Sequence, residues 1–475
     1  MNQTAASAEH PALSFDILRL IVDTLGAEHN YTKHDSPRTR VPEQALHNLS
    51  LTARDLREMC QSHLFHQIEI GSKSLSKITC LAEALAGESG LQRHVRALKI
   101  SMLMFTTDRD ENDAYWSSHE DYLKYSHCAI QMLRCMSNVE EVDIWQHGED
   151  GWHGGLHWFA TSIGVELPPF LVRNPVQRLI VFAERLPISL LAHLPPKLAM
   201  LKIKAWSDPY NDDVGGTPVQ TSVENVLLDL SAEVLSSLVA RKSVIQPLFN
   251  NLTSCSIIIT SDHFDQLYTL YALAVLPAAQ TLQQLEVKLY PESSEELDAF
   301  RTHRCSDSLP ALPNLARLSL CVDVSNPQVG GMCPPSIAAF VRSYASSATF
   351  KNIETLKLRV CWMPYDDGIF KSQTLPTVLD RQRCGWDKVD EYLSDRRAVP
   401  NLKNLLLDFA PVSARDSWIG ILSQDGKNIH RCAARDVYDV FCETRKRAEV
   451  KFKVPYWYSG AGAGTYANKW DWSTT

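Results

Sequence analysis

The densest set of side chains able to hold a metal lies in QHGEDGWHGGLHW, residues 146–158, where His147, Glu149, Asp150, His153 and His157 crowd together. Two histidines four apart can share one face of a helix and bind zinc as a pair. Gly148, Gly151, Gly154 and Gly155 interrupt this stretch and oppose that helix, so no metal site is expected. Nucleophilic and phosphate chemistry fare no better. The chain has no Gly-x-Ser-x-Gly elbow, no glycine-rich loop ending in Lys-Ser or Lys-Thr, and no His-Glu-x-x-His. GAGAG at 460–464 lacks the strand before it and the helix after it that a dinucleotide-binding turn needs. The expectation is a protein without a cofactor and without enzymatic activity.

The chemistry that remains is recognition. The chain has 475 residues, 45% hydrophobic and 21% charged, with 47 basic and 55 acidic side chains and a net charge of −8. That is an ordinary globular composition too long for one compact core. It lacks the basic excess that general nucleic-acid binding needs. The twelve cysteines are scattered, several inside apolar runs (Cys60, Cys255, Cys321), with no Cys-x-x-Cys. They read as reduced thiols. The opening MNQTAASAEHPALSF has no basic segment followed by an apolar stretch, so no secretory leader is expected. No apolar run approaches the roughly 20 residues that span a bilayer. These features predict a cytoplasmic and/or nuclear protein that binds neither membrane nor nucleic acid.

The elements that would position recognition residues follow from a repeat. The spacing apolar-x-x-apolar-x-apolar occurs at Val95/Leu98/Ile100, Val139/Val142/Ile144, Val176/Leu179/Val181, Leu198/Leu201/Ile203 and Val223/Val226/Leu228. It continues at Leu252/Cys255/Ile257, Leu282/Leu285/Val287, Leu315/Leu318/Leu320, Ile353/Leu356/Leu358 and Leu402/Leu405/Leu407. One copy means nothing; ten copies, 22 to 49 residues apart and mostly separated by helical stretches, mark an array. Those stretches include residues 74–88, 127–136, 231–240, 264–276 and 336–345. Strand alternating with helix implies a parallel sheet. Three late copies open with asparagine, at Asn314, Asn352 and Asn401. A last strand is expected at Val450–Val454, and the Gly-rich aromatic tail from 456 either covers the far end or is mobile.

On such strands the alternate residues point away from the apolar face. Across the ten copies these are basic at Lys99, Arg178, Lys202, Lys204, Lys288, Arg317, Lys357 and Arg359. They are acidic at Glu141, Asp143, Asp229, Glu286 and Asp408. A basic surplus on an acidic chain suggests a partner that is acidic or phosphorylated, lying along the middle and later copies. It is also what a merely solvated face would show. Trp145 is either an exposed anchor or packed under the neighbouring insertion. Insertions at 104–127, 146–158, 205–221 and 361–398 are further candidates for contact.

Ahead of the array lies a helical segment. Leu18, Ile21, Val22 and Leu25 share one face of a helix over 14–25, with Ser14 as its cap and Asp16 in its first turn. Residues 26–41 read as a loop. Pro42 suits the first turn of a second helix presenting Leu46 and Leu49. Thr52-Ala53-Arg54-Asp55 has the form of a capping box for a third helix, bearing Leu56, Met59 and Cys60, then Leu64 and Phe65.

The order P-x-L-x-F-D-I-L-x-x-I-V-x-x-L, a loop, L-x-x-L-S-L-T-x-R-x-L-R and then H-L-F resembles the F-box, in the divergent form found at the front of many fungal proteins. The array resembles an irregular leucine-rich repeat. The family's asparagine or cysteine three places after the last apolar residue is met by Cys361, with Ser231, Thr260 and Asp323 as weaker substitutes. The implied α/β architecture is a flexible N-terminus (1–10), an F-box-like helical module (11–70), a horseshoe with concave strands and convex helices (71–455) and a tail (456–475). The resemblance implies a substrate-recognition subunit of an SCF-type ubiquitin ligase, its module held by a Skp-type adaptor and through it a cullin, its repeats holding a target protein. Residues carried over as adaptor-binding or module core are Pro11, Leu13, Leu18, Ile21, Leu25, Leu46, Leu49, Leu56, Leu64 and Phe65. The alternative is a non-enzymatic interaction scaffold whose helical module only caps the array.

Overall fold

The computed structural model describes residues 14–32, 40–52, 54–71, 75–87, 90–103, 119–147, 162–186, 190–191, 193–195, 198–207, 221–260, 271–290, 311–323, 351–362, 381–382, 385–411 and 437–453. Pro11, Leu13, the cluster from Glu149 to His157, most of each insertion and the tail from 454 lie outside them. The chain forms two compact units, Met1–Val176 and Gln177–Thr475.

The first unit opens with three helices, α1 (Phe15–Thr32), α2 (Arg40–Thr52) and α3 (Arg54–Leu64). Val22, Leu46, Leu56 and Cys60 form their buried core, with Leu18, Leu25, Leu49, Met59 and Leu64 packed around it. Two local expectations are corrected. The 26–41 stretch is not all loop: α1 runs on through Gly26 to Thr32, and α2 already includes Arg40 and Val41. Gly26 persists inside α1 because a side chain there would occupy the position of the His63 ring on α3. The penalty for helical glycine, ~1 kcal/mol, is outweighed by that close approach. Thr52 does not open a capping box either. Its hydroxyl donates to the Leu49 carbonyl at 2.8 Å, so it ends α2 rather than starting α3.

Directly after α3 comes β1 (Gln67–Gly71), paired in parallel with β2 (Ala97–Leu103), which pairs with β3 (Glu141–His147). Ile68 aligns with Leu98 and Ile70 with Ile100. The array therefore begins one copy before Val95/Leu98/Ile100, at Phe65/Ile68/Ile70. Helices α4 (Leu75–Ala86), α5 (His119–Cys135) and α6 (Ser162–Arg173) connect the strands and pack against one another in order. α6 keeps Pro168 and Pro169 inside it and buries Ile163, Leu167, Phe170 and Leu171. Packing on that face overrides the breaker signal. At its end the buried Asn174 donates to the Met136 and Phe170 carbonyls and accepts from the Val139 amide, bridging consecutive repeats.

The second unit contains β4 (Arg178–Arg185), β5 (Met200–Ser207), β6 (Asn225–Leu230), β7 (Ser254–Thr260), β8 (Gln284–Tyr290), β9 (Arg317–Asp323), β10 (Thr355–Trp362), β11 (Asn404–Pro411) and β12 (Lys451–Lys453). Each pairs in parallel with the next. The register matches the sequence repeat: Leu179, Leu201, Val226, Cys255, Leu285, Leu318, Leu356 and Leu405 align strand to strand. Every apolar residue of the ten copies is buried. Full burial of such a side chain contributes roughly 1.5–3 kcal/mol, which makes this seam the main source of stability. Among the described connections, α7 (Ala232–Ala240) is capped by the Ser231 hydroxyl, which accepts from the Val234 amide.

An amide ladder runs beside the strands, at a different place from the family position considered above. The asparagine just before the first apolar residue of a repeat donates its side-chain N–H to a main-chain carbonyl of the preceding repeat. Asn314 reaches Gln280 at 2.6 Å, Asn352 reaches Pro313 at 2.5 Å and Asn401 reaches Lys351 at 2.8 Å. Thr281 fills the same role with its hydroxyl, 2.8 Å from the Leu252 carbonyl.

The last described part is fastened by buried charge. Asp390, on α8 (Trp386–Ser394), pairs with Arg381 at 3.0 Å. It accepts from the Glu443 amide, the Thr444 amide and the Thr444 hydroxyl. Arg447 is buried, donating to the Leu393 and Val399 carbonyls. Arg445-Lys446-Arg447 is thus no free basic motif: Lys446 pairs with Glu443, and Arg445 lies over the Tyr438 ring.

Candidate functional site

Two surfaces carry recognition chemistry, one in each unit. The first is on the front helices. Phe15, Ile17, Leu20 and Ile21 of α1 are exposed, Leu20 to 67%, as are Val41 (74%) and Leu51 of α2. Ile17, Leu20 and Ile21 stand three and four residues apart, so they form a second apolar stripe beside the one that packs the core. Water-facing apolar stripes of this kind mark docking surfaces. Of the residues carried over from the F-box resemblance, Leu18, Leu25, Leu46, Leu49, Leu56 and Leu64 pack the module, and Phe65 is half-buried in the turn between α3 and β1. Ile21 alone among the described ones is exposed rather than part of the inward face. Helical spacing in the sequence marks the stronger stripe, which packs the core, and leaves Phe15, Ile17, Leu20, Val41 and Leu51 unmarked. The signal was present as a second run at helical spacing in α1.

The second surface is the polar side of the strands. In the first unit Glu69, Lys99 and Asp143 align across β1–β3. Lys99 pairs with Glu69 at 3.5 Å and lies over Trp145, 5.9 Å from its ring centre. Trp145 is half-buried there rather than standing free as an anchor.

In the second unit the polar face has two distinct stretches. Toward β9–β11 it is closed. Lys357 is only 5% exposed, and Asp408 and Ser319 are buried. Asp408 holds Arg359 at 3.5 Å. Burial pushes the Lys357 amine below the usual lysine range, while Glu286 and Asp408 pull it back up. This stretch is a buried charge network, with Arg317 half-exposed beside it.

From β4 to β8 the face is half-exposed. Lys204 pairs with Asp229 at 3.0 Å and Lys288 with Glu286 at 3.1 Å. Glu286 also accepts from Ser256 at 2.8 Å. Lys202 stands over Phe182, 4.9 Å from the ring centre, a cation–π contact that offsets part of its desolvation. Its amine is held low by burial first, then by the charges of Lys288 and Arg178. The basic surplus read from the sequence is therefore mostly neutralised within the face.

Among the described residues no cluster of His, Cys, Asp and Glu could hold a metal, and no described helix is long and apolar enough to cross a membrane. Cys60, Cys80, Cys128, Cys135, Cys255, Cys321 and Cys442 are free thiols. No protein-family model matches this chain, and no curated protein matches it.

Proposed function

We propose that this protein is a receptor subunit of a ubiquitin ligase of the SCF type: its front helices dock on a Skp-type adaptor, and its strand array holds the protein to be modified. The observation that carries this reading is the pair of apolar surfaces on the front helices, one buried around Val22, Leu46 and Leu56, the other turned to water at Ile17, Leu20 and Ile21 of α1. A module that served only to close the array would need the first and not the second. The receptor has no reaction of its own; it raises the local concentration of target lysines at the conjugating machinery.

A second reading is favoured by one contact. Glu58 of α3 pairs with Arg93, next to β2, at 2.8 Å, so the helices also close the first repeats. A scaffold whose helices are a cap alone would keep this contact and bind no adaptor. Capture of a purified Skp-type adaptor separates the two. The full chain should retain it at about 1 µM, and Ile17→Asp with Leu20→Asp should abolish retention with the circular dichroism spectrum unchanged. Retention by neither protein, or equally by both, removes the receptor reading and leaves the scaffold.

A further inference from the structure

The sheet ends at β12, with no described strand beyond it. The Lys451 amide donates toward β11, to the Lys403 carbonyl at 2.7 Å. In a parallel pair alternate residues turn their N–H and C=O to opposite neighbours, so those of Phe452 face the open edge. Phe452 aligns with Leu405. At this position of the repeat Leu318, Leu356 and Leu405 are fully buried, whereas Phe452 is half-buried. The Tyr438 ring stands edge-on to it, 6.3 Å between centres. An open strand edge beside half-exposed apolar surface is a template for one more strand.

The sequence beyond Lys453 has the composition of such a strand. It reads VPYWYSGAGAGTYANKWDWSTT. Pro455 has no N–H to give to β11, and the described pairing of β12 stops at Lys453. SGAGAG, residues 459–464, is a turn composition. In 466–472, YANKWDW, alternate positions are Tyr466, Asn468, Trp470 and Trp472 on one side and Ala467, Lys469 and Asp471 on the other. That is the period of a strand with one largely aromatic face.

We propose that residues 466–472 return as an antiparallel strand on the open edge of β12 and close the sheet. Residues directly opposite one another in an antiparallel pair share a face, so an aromatic residue and not a charge must stand beside Phe452. Two registers satisfy this. Setting Phe452 against Trp470 sets Lys453 against Lys469, and like charges directly opposite are unfavourable. Setting Phe452 against Trp472 sets Lys453 against Asp471, Val454 against Trp470, and leaves 459–465 as the turn. Charge complementarity selects the second register. The added strand covers Phe452 and takes up its outward N–H and C=O, so the edge is withheld from other chains. The proposal concerns the far end of the array and is independent of what the front helices bind.

The test is native-state hydrogen exchange on the full chain, read at the Phe452 amide at two protein concentrations tenfold apart. In the parent chain this amide should exchange at least about tenfold more slowly than in an unstructured peptide, and equally at both concentrations. Trp470→Asp with Trp472→Asp should return it to within about twofold of the peptide rate, while the Lys451 amide, turned to β11, keeps most of its protection. Asp471→Lys should reduce protection by about two- to fivefold, the size of one cross-strand pair, and Lys453→Asp in that background should restore it. An unprotected Phe452 amide in the parent chain would overturn the proposal, as would protection untouched by the paired tryptophan change. So would a charge-swapped chain no better protected than Asp471→Lys alone. Protection that rises with concentration would overturn it as well, because the strand on the edge would then belong to a second copy.

Discussion

Replacing Asp390 by alanine should release the end of the array while leaving its strands in place. The carboxylate is fully buried and accepts from the Glu443 amide at 3.0 Å, the Thr444 amide at 2.8 Å and the Thr444 hydroxyl at 2.7 Å. Alanine strands all three donors in a site with few alternative acceptors. A buried donor left without a partner costs roughly 1–3 kcal/mol, so about 3–5 kcal/mol is expected once some water enters. Arg381 adds little, because its side chain is 38% exposed and regains hydration. Asparagine should recover only a small part: its carbonyl can serve Thr444, but its amide turns a donor toward Arg381 or the Glu443 N–H. The chain has two compact units, so a single midpoint would mix transitions. Native-state hydrogen exchange read at Glu443 and Thr444 is the proper assay. Exchange there should accelerate by about 10²–10³-fold, a factor corresponding to the lower end of that range, with protection of Leu318 and Leu356 unchanged. A change under about fivefold at both amides would refute the reasoning, since it would mean the Asp390 contacts contribute about 1 kcal/mol or less in total.

Three other outcomes follow from named contacts. Gly26→Ala should destabilise the front helices by about 1–3 kcal/mol by forcing the His63 ring off α1 and breaking its 3.2 Å contact with Asp23. In a His63→Ala background the same change should stabilise by up to ~1 kcal/mol; native-state hydrogen exchange within α1–α3 of the four proteins checks the reversal. Asn352→Ala and Asn401→Ala should each cost about 1 kcal/mol, read by native-state hydrogen exchange of β10 and β11, and together roughly the sum, because each side chain serves a different carbonyl. Burial pushes the Cys255 thiol up to about 12, so it should resist alkylation at pH 8 in the folded protein while the exposed Cys80 reacts. Between the ordinary thiol pKa, ~8.5, and about 12 the unfolded chain ionises Cys255 and the folded chain does not. This thiol therefore has no effect on stability below that window and lowers it progressively as pH rises through it.

The array was legible because its signal is repetitive. A buried parallel strand needs apolar side chains at fixed spacing, and Val95/Leu98/Ile100 through Leu402/Leu405/Leu407 repeat that spacing often enough to overcome the noise of any one copy. Phe65/Ile68/Ile70 escaped because it is joined to α3 without a break, so the segment read as the end of the helical module. The helical stretches read from the sequence do not include α6, where Pro168 and Pro169 oppose a helix locally and tertiary packing of Phe170 and Leu171 holds it through them. At the front, spacing identified Leu18, Val22 and Leu25 as inward. It could not separate them from Ile21, one position away from Val22 and turned to water.

By itself the sequence determined the alternation of strand and helix, the positions of the ten repeats and the type of side chain on each face, since all of these are set by local spacing and by the apolar requirement of a core. Which charges remain available was decided only by the tertiary structure. Lys204 and Arg359 look like Lys288 in the sequence, yet each finds its carboxylate only when strands align, whereas Lys288 pairs with Glu286 along its own strand. Lys357 is equally basic on paper and is buried in the fold, whereas Lys202 stays half-exposed over the Phe182 ring. Electrostatic pairing depends on neighbours tens of residues away in the chain, and strand register, not sequence order, chooses those neighbours.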